Sequence, residues 1–304
     1  MRMSDRPLLT IAISSHNRAA KLDSQIRWAA ESIGGRWDEC QLLVVDGAST
    51  DATPAVCERW KAALGERITC SRLAVNEGIV PGICSSIERS SGEYVWTVSD
   101  DDFIRADAVT TAINALRRHS GLGLLHLNHR IVDGISGELI DESFYPWTED
   151  QHADPGRELI EKCLMHHEGG LQFMTANVVR RDLAVEAIKR WPEGPDNLAM
   201  PIYIYSYAAK DASALVVARP ALDCVYKLSS WYDRAGCVYY KDAPEVLLRL
   251  GQVGFDRRVM SRVLLKRLRF KLITAKSLTK FFMKFPSEFA RSIPYYLRAL
   301  RDAV

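Results

Sequence analysis

Five short apolar runs that alternate with segments of helical spacing constrain this chain more than any other feature. The runs at residues 8–13, 41–46, 68–73, 94–98 and 122–127 read as strands, and 21–33, 53–64, 80–89 and 106–119 carry apolar residues at helical intervals. Runs with so little polar content are the mark of strands buried on both faces. Strands joined through helices pair in parallel and leave helices on both sides of an open sheet. Ligands of such sheets bind outside the carboxyl ends of the strands. The chemistry is therefore to be sought where each run stops.

The residues found there are polar and acidic. The first run is followed by Ser14, Ser15, His16, Asn17 and Arg18. The second closes on Asp46-Gly47-Ala48-Ser49-Thr50-Asp51, the third leads to Asn76-Glu77-Gly78, and the fourth ends in Ser99-Asp100-Asp101-Asp102. Three consecutive aspartates repel one another unless a cation is near. Hard carboxylate oxygens suit Mg²⁺ or Mn²⁺ held together with substrate phosphates. A plainer role for Asp102 is capping the next helix. Asp46 is placed to accept from a nucleobase N–H or a ribose hydroxyl, or to form an Asx turn. Ser49 and Asp51 read as caps for the helix at Thr53. The chain has no G-x-G-x-x-G after the first strand, no G-x-x-x-x-G-K-[ST] and no G-x-S-x-G. Dinucleotide redox chemistry, P-loop NTPase activity and the hydrolase elbow lose their main support.

Beyond Asn128 the pattern loosens. A hairpin is expected over 131–140, a loop over 145–156, a helix over 157–167, a strand over 171–179 and a helix over 182–190. A loop at 191–201, a helix at 202–210 and a strand at 214–218 follow. The net charge of +2 conceals a division: residues 255–304 hold thirteen Lys/Arg against three Asp/Glu, leaving −8 for residues 1–254. Arg258, Arg262, Lys266 and Arg269 share one helical face, and Met260, Leu264, Leu268 and Leu272 another. Phe281, Phe282, Phe285, Tyr295 and Tyr296 follow. A basic amphipathic helix with aromatics is the pattern of a segment lying on an anionic membrane surface, here through residues 257–302. The bland reading is a solvated helix packing its apolar stripe on the domain. No nucleic-acid module is present, and no nucleic-acid partner is expected. Seven cysteines without a C-x-x-C pair, an initial apolar run of six residues and no stretch of membrane-spanning length predict a reduced, cytoplasmic protein, peripheral at the inner face of the cytoplasmic membrane.

The order of the strand-end motifs resembles the family 2 glycosyltransferases, with their GT-A fold. That family shows an Asn-Arg segment after the first strand, then V-V-D-D-G-S-T-D-x-T, then N-x-G, then an acidic D-x-D-D-type motif. The matching residues here are Ile13 to Arg18, Val44 to Thr53, Asn76 to Gly78 and Val98 to Asp102. The S-D-D-D variant is most similar to enzymes of bacterial surface-polysaccharide synthesis, including abequosyltransferase-like members. Gly47 and Ala48 depart from the family's second Asp and its Gly, and Ser99 from the first Asp of the acidic motif.

The resemblance implies a Rossmann-like, mostly parallel α/β sheet with helices on both faces. Residues 1–230 would form the transferase domain, divided into a nucleotide-sugar half (1–130) and an acceptor half (131–230). Residues 231–304 would be a basic helical extension. It implies an inverting transfer from a nucleotide-sugar donor to a glycan or polyprenyl-diphosphate-linked acceptor, with a divalent cation at Asp101 and Asp102. Ser14, His16, Asn17, Arg18, Asp46, Asn76, Gly78 and Asp100 would hold the nucleotide. The general base would be an acid of the second half: Asp196 first, then Glu193 and Glu168. Trp231, Tyr232 and Arg234 are candidate donor or acceptor contacts, through aromatic faces on sugar C–H surfaces and Arg on phosphate. A non-catalytic nucleotide- or glycan-binding scaffold of this fold is one alternative. A sugar nucleotidyltransferase is another, although the glycine-free 14–18 segment counts against it.

Overall fold

A computed structural model describes residues 6–226, 232–269 and 274–303. Its first half follows the alternation closely. β1 (Leu9–Ser15), α1 (Ala19–Ile33), β2 (Cys40–Asp46), α2 (Thr53–Leu64), β3 (Ile68–Arg72), α3 (Ile79–Arg89) and β4 (Tyr94–Ser99) come first. A two-residue β5 (Phe103–Ile104), α4 (Ala108–Arg118) and the long β6 (Leu122–Asp133) follow. β1, β2, β3 and β4 pair in parallel. Alternate residues of β1 divide between two cores. Leu9, Ile11 and Ile13 face α1, α2 and α4, whereas Ala12 joins Val80, Ile83 and Ile87 of α3. Two-sided burial is why these strands read as apolar runs.

The second half contains β7 (Leu139–Asp141), β8 (Gln151–Ala153), α5 (Arg157–His166), α6 (Gly169–Gln172) and β9 (Asn177–Arg180). α7 (Arg181–Arg190), α8 (Met200–Ala209) and β10 (Ser213–Tyr226) complete the sheet, whose order is β3-β2-β1-β4-β9-β6-β10-β5. β9 is antiparallel to β4 and β6, so β6 runs with the first four strands, and β10 pairs with it in parallel.

The expected hairpin over 131–140 is present as β6 and β7, paired at Ile131↔Asp141 and Val132↔Leu139. Three expectations fail. The 171–179 run is not one strand but the end of α6, a 3-10 turn (Met174–Ala176) and a four-residue β9. The 145–156 loop contains β8, and the strand expected at 214–218 extends to Tyr226.

The last helices are α9 (Ala235–Cys237), α10 (Ala243–Leu250), α11 (Arg257–Arg269), α12 (Ala275–Lys284) and α13 (Pro286–Asp302). Val246, Leu247 and Leu250 of α10, Met260 and Leu264 of α11 and Ala299 of α13 belong to the same apolar cluster as α5 and α8. The apolar stripe of α11 thus packs on the domain as far as Leu264; Arg267, Leu268 and Arg269 have side chains outside the described residues, as does Leu272 entirely. Among the described residues no helix is long and apolar enough to cross a membrane.

Candidate active site

The carboxyl ends of β1, β2 and β4 are tied together by side chains. Asn17 adopts a left-handed conformation (φ 53°), which its short polar side chain tolerates. Its Oδ1 accepts from the backbone N–H of Thr50 at 2.7 Å and of Asp51 at 3.3 Å, and its own N–H donates to Ser49 Oγ at 2.9 Å. Asp51 accepts from the N–H groups of Ala19 at 3.1 Å and Thr53 at 2.9 Å, so one carboxylate serves the first turns of both α1 and α2. Asp51 therefore acts at the start of α2, as expected, while Ser49 is bonded to the β1 loop.

Asp46 is buried. Its Oδ1 accepts from the N–H of Ser49, three residues on, at 2.9 Å, and its Oδ2 accepts from Arg72 Nη1 at 2.9 Å. Arg72 also donates to the Ser49 carbonyl at 2.6 Å, locking the loop from the end of β3. A Cβ on Gly47 would stand 3.4 Å from His16 Cβ and 3.7 Å from Asn76 Oδ1, so the three loops meet there. Ala48 takes the left-handed conformation (φ 60°) at the position where the family resemblance expects Gly. Asn76 Oδ1 accepts from the N–H of Gly78 (φ 105°), turning the chain into α3. α3 lies close to β1: a Cβ on Gly82 would sit 2.9 Å from Ser14 Oγ.

The acidic turn after β4 is the most charged part of the site. Asp100 is buried; Ser15 Oγ donates to its Oδ2 at 2.6 Å and Arg18 Nη1 to its Oδ1 at 2.9 Å. Burial raises its pKa against those bonds. Asp101 is more open. Its Oδ2 accepts from Arg18 Nη1 at 2.9 Å and Lys21 Nζ at 3.1 Å, and its Oδ1 from Ser99 Oγ at 2.6 Å. Burial pushes its pKa up, but the bonds from Ser99 and Lys21 and the charges of Arg18 and Lys21 prevail, and it lies below the usual range.

Asp102 is pushed up to about 7, by burial first and then by the charges of Asp101 and Asp100, against a hydrogen bond from Thr175. Its Oδ2 is buried without a hydrogen-bond partner. It does not cap the following helix, which begins six residues later at Ala108 with Asp107 at the cap position.

Ser15, Lys21 and Thr175 complete this cluster; Ser15 stands in the strand-end motif without an assigned role, and Lys21 and Thr175 escape the sequence reading. Thr175 Oγ1 accepts from the N–H of Ser99 at 3.1 Å, and its carbonyl from Trp96 Nε1 at 2.8 Å, pinning the acidic turn to the 3-10 turn ahead of β9. Lys21 lies one turn beyond Arg18 on α1, and that spacing was the available signal.

The acids of the second half fall on two separate elements. Glu193 and Asp196 are exposed on the turn that joins α7 to α8, whereas Glu168 is buried at the start of α6. The buried residue ahead of α8 is Asn197, whose Oδ1 accepts from the N–H of Ala199 at 2.8 Å while its Nδ2 donates to Glu245 Oε2 at 3.1 Å. Trp231 and the side chain of Tyr232 lie outside the described residues. Arg234 is exposed on a 3-10 turn (Tyr232–Arg234), which Lys284 holds through the Asp233 carbonyl at 2.9 Å.

A curled, mostly parallel sheet with helices on both faces and an acidic turn at its central strand end defines a GT-A-type architecture. TarS 1–349 of S. aureus superimposes with a TM-score of 0.63 at 14% identity, over 97% of this chain and 87% of that one. The same protein in complex with UDP-GlcNAc gives 0.63 at 16% identity, over 97% and 80%. The mannosyltransferase PcManGT from Pyrobaculum calidifontis, in complex with GDP-Man and Mn²⁺, gives 0.54 at 14% identity, over 99% and 88%.

Residues 10–136 match the model described as Glycosyl transferase family 2. The putative teichuronic acid biosynthesis glycosyltransferase TuaG of Bacillus subtilis (strain 168) is 23% identical over 115 residues, 38% of this chain and 44% of that protein. The chain thus matches less than half the length of this curated relative.

Proposed function

We propose that the chain is an inverting glycosyltransferase of bacterial surface-polysaccharide synthesis. It takes a sugar from a nucleotide-sugar donor and passes it to a glycan or polyprenyl-linked acceptor at the inner face of the cytoplasmic membrane. The observation that carries the reading is the acidic turn at 100–102, cross-linked to the β1 loop through Ser15 and Arg18 and bearing one buried carboxylate oxygen on Asp102 that no protein group satisfies. Relatives that bind UDP-GlcNAc or GDP-Man with this fold support the choice of donor.

The residues present fit a divalent cation. Asp101 and Asp102 offer hard oxygens, and the unsatisfied Oδ2 of Asp102 is the atom that gains most from an ion. Among the described residues no three ligating side chains converge on one point. One or two carboxylates completed by phosphate oxygens is the usual arrangement for Mg²⁺. When bound, such an ion neutralises the charge that builds on the departing nucleoside diphosphate.

The chain's own groups do the rest. Arg18 bridges Asp100 and Asp101, which holds a guanidinium at the mouth of the site, and Lys21 adds a second cation. Both stand ready to meet phosphate oxygens. Asp46, fixed by Arg72 and the N–H of Ser49, presents a rigid acceptor to the nucleoside side, with His16, Asn76 and Gly78 around it. Asp196 takes the proton from the acceptor hydroxyl. A general base in that role contributes about 10²–10⁴-fold to the rate.

Calorimetric titration with UDP, GDP, CDP and TDP, each with and without Mn²⁺, tests the reading. One diphosphate binds in a metal-dependent way, and its sugar conjugate is slowly hydrolysed. Absence of binding by all four supports the scaffold instead.

A further inference from the structure

The apolar surface that α11 keeps for the core reappears, facing outward, on α12 and α13. Phe281 is buried and packs on Tyr240 at 5.0 Å and Phe289 at 6.0 Å, and Phe282 meets Phe289 edge-on at 5.3 Å, so the two helices form one unit. Ser292 and Ala299 of α13 point inward. On the outer side Phe282 is 52% exposed, Met283 76%, Ile293 45%, Leu297 61% and Leu300 52%. Ile293, Leu297 and Leu300 are spaced by four and three residues and form one helical stripe. These are among the largest exposed apolar side chains of the molecule. Isolated exposed apolar residues call for no explanation, but five on two packed helices mark an interaction surface.

The net charge of the two helices indicates the partner. α12 carries Lys276, Lys280 and Lys284, and α13 carries Arg291, Arg298 and Arg301, against Glu288 and Asp302 alone. Asp302 is 3.1 Å from Arg301 and 3.5 Å from Arg298. A second copy of the chain brought face to face would set like charges together. A surface of anionic headgroups over hydrocarbon satisfies both the cations and the stripe.

We propose that the α12–α13 face, and not α11, docks the protein on an anionic lipid bilayer, with Phe282, Met283, Ile293 and Leu297 entering the headgroup boundary. The proposal rests on the membrane-side working place argued above, and it is independent of sugar transfer.

Co-sedimentation of the full chain with vesicles tests it, using phosphatidylcholine alone and phosphatidylcholine with about one third phosphatidylglycerol. The protein pellets with the anionic vesicles only. Met283→Ser/Leu300→Ser and Ile293→Ser/Leu297→Ser each reduce that binding by at least about tenfold, at wild-type melting temperature and wild-type diphosphate binding. Asp101→Asn leaves vesicle binding unchanged, which separates this inference from the catalytic one. Equal binding to neutral vesicles, no binding at all, binding unaffected by either double substitution, or a dimer in sedimentation velocity that the same substitutions dissolve overturns it.

Discussion

Three consecutive aspartates in one turn reach three different electrostatic states. Asp100 is buried yet bonded to Ser15 and Arg18, Asp101 is held ionised by Arg18, Lys21 and Ser99, and Asp102 is pushed up to about 7 by burial and its two neighbours. If Asp101 and Asp102 hold the cation, Asp101→Asn and Asp102→Asn each weaken metal-dependent diphosphate binding by more than the roughly 10–100-fold typical of outer-shell changes. Calorimetry reads the loss directly. Asp196→Asn is expected to lower kcat by about 10²–10⁴-fold while leaving donor affinity intact. Glu193→Gln and Glu168→Gln, assayed beside it, show whether the base lies elsewhere.

The buried imidazoles supply a pH prediction at the same scale. Burial, against the bond that His126 donates to Asn177 Oδ1, lowers the pKa of His126 to about 4, and burial beside His126 lowers that of His129 well below the ordinary histidine value. Both stay neutral in the fold, so the unfolded chain binds more protons below the ordinary histidine value. Stability is intact above about pH 6.5 and falls as the pH drops toward 4, by up to about 1.4 kcal/mol per unit for His126, and His129 acts in the same direction. His129→Phe, which keeps a ring against Phe144 and Phe173, removes one such contribution. Urea unfolding of the variant is therefore less acid-sensitive than that of the parent.

At the scale of elements, close approaches are the sensitive points. A Cβ on Gly123 of β6 would lie 2.0 Å from the Ala208 carbonyl oxygen of α8. Gly123→Ala therefore forces strand and helix apart and costs about 1–3 kcal/mol, measured by urea unfolding. The βα units up to α4 were legible because each strand is buried on both faces and each helix carries one apolar stripe. β9 was not, because the apolar run at 171–179 spans a helix end and a 3-10 turn before its four-residue strand. β10 was read short because its pairing with β6 shifts between Val217 and Leu222, around Pro220, and the pattern breaks there.

The same division runs through the site. Carboxylates crowded after an apolar run are visible in sequence, as Asp46 and the 100–102 turn were. The groups that hold them are not. Thr175 reaches Ser99 from 76 residues away and Lys21 reaches Asp101 from 80. Only the sheet order brings them together.

Across the whole molecule the near-neutral sum separates into a domain at −8 and a terminal segment at +10. The terminal helices are not an appendage, because Met260, Leu264 and Ala299 lie in the core shared with α5 and α8. Removing residues 255–304 therefore uncovers that core, and the truncated chain is expected to lose stability and aggregate rather than merely detach from lipid. A lowered melting temperature in differential scanning fluorimetry would register it. The charge division also gives the two proposed functions opposite demands: carboxylates gathered where a cation and a diphosphate meet, and cations gathered where an anionic surface is met.

The central claim is that the carboxyl edge of the sheet binds a nucleoside diphosphate through a divalent cation held by the 100–102 turn. Titration of UDP, GDP, CDP and TDP into the full chain, with Mn²⁺ and with chelator, tests it most directly. One diphosphate binds with Mn²⁺, and chelator, Asp101→Asn or Asp102→Asn removes the binding. Equal affinity with and without metal, or undiminished binding by both variants, would contradict it.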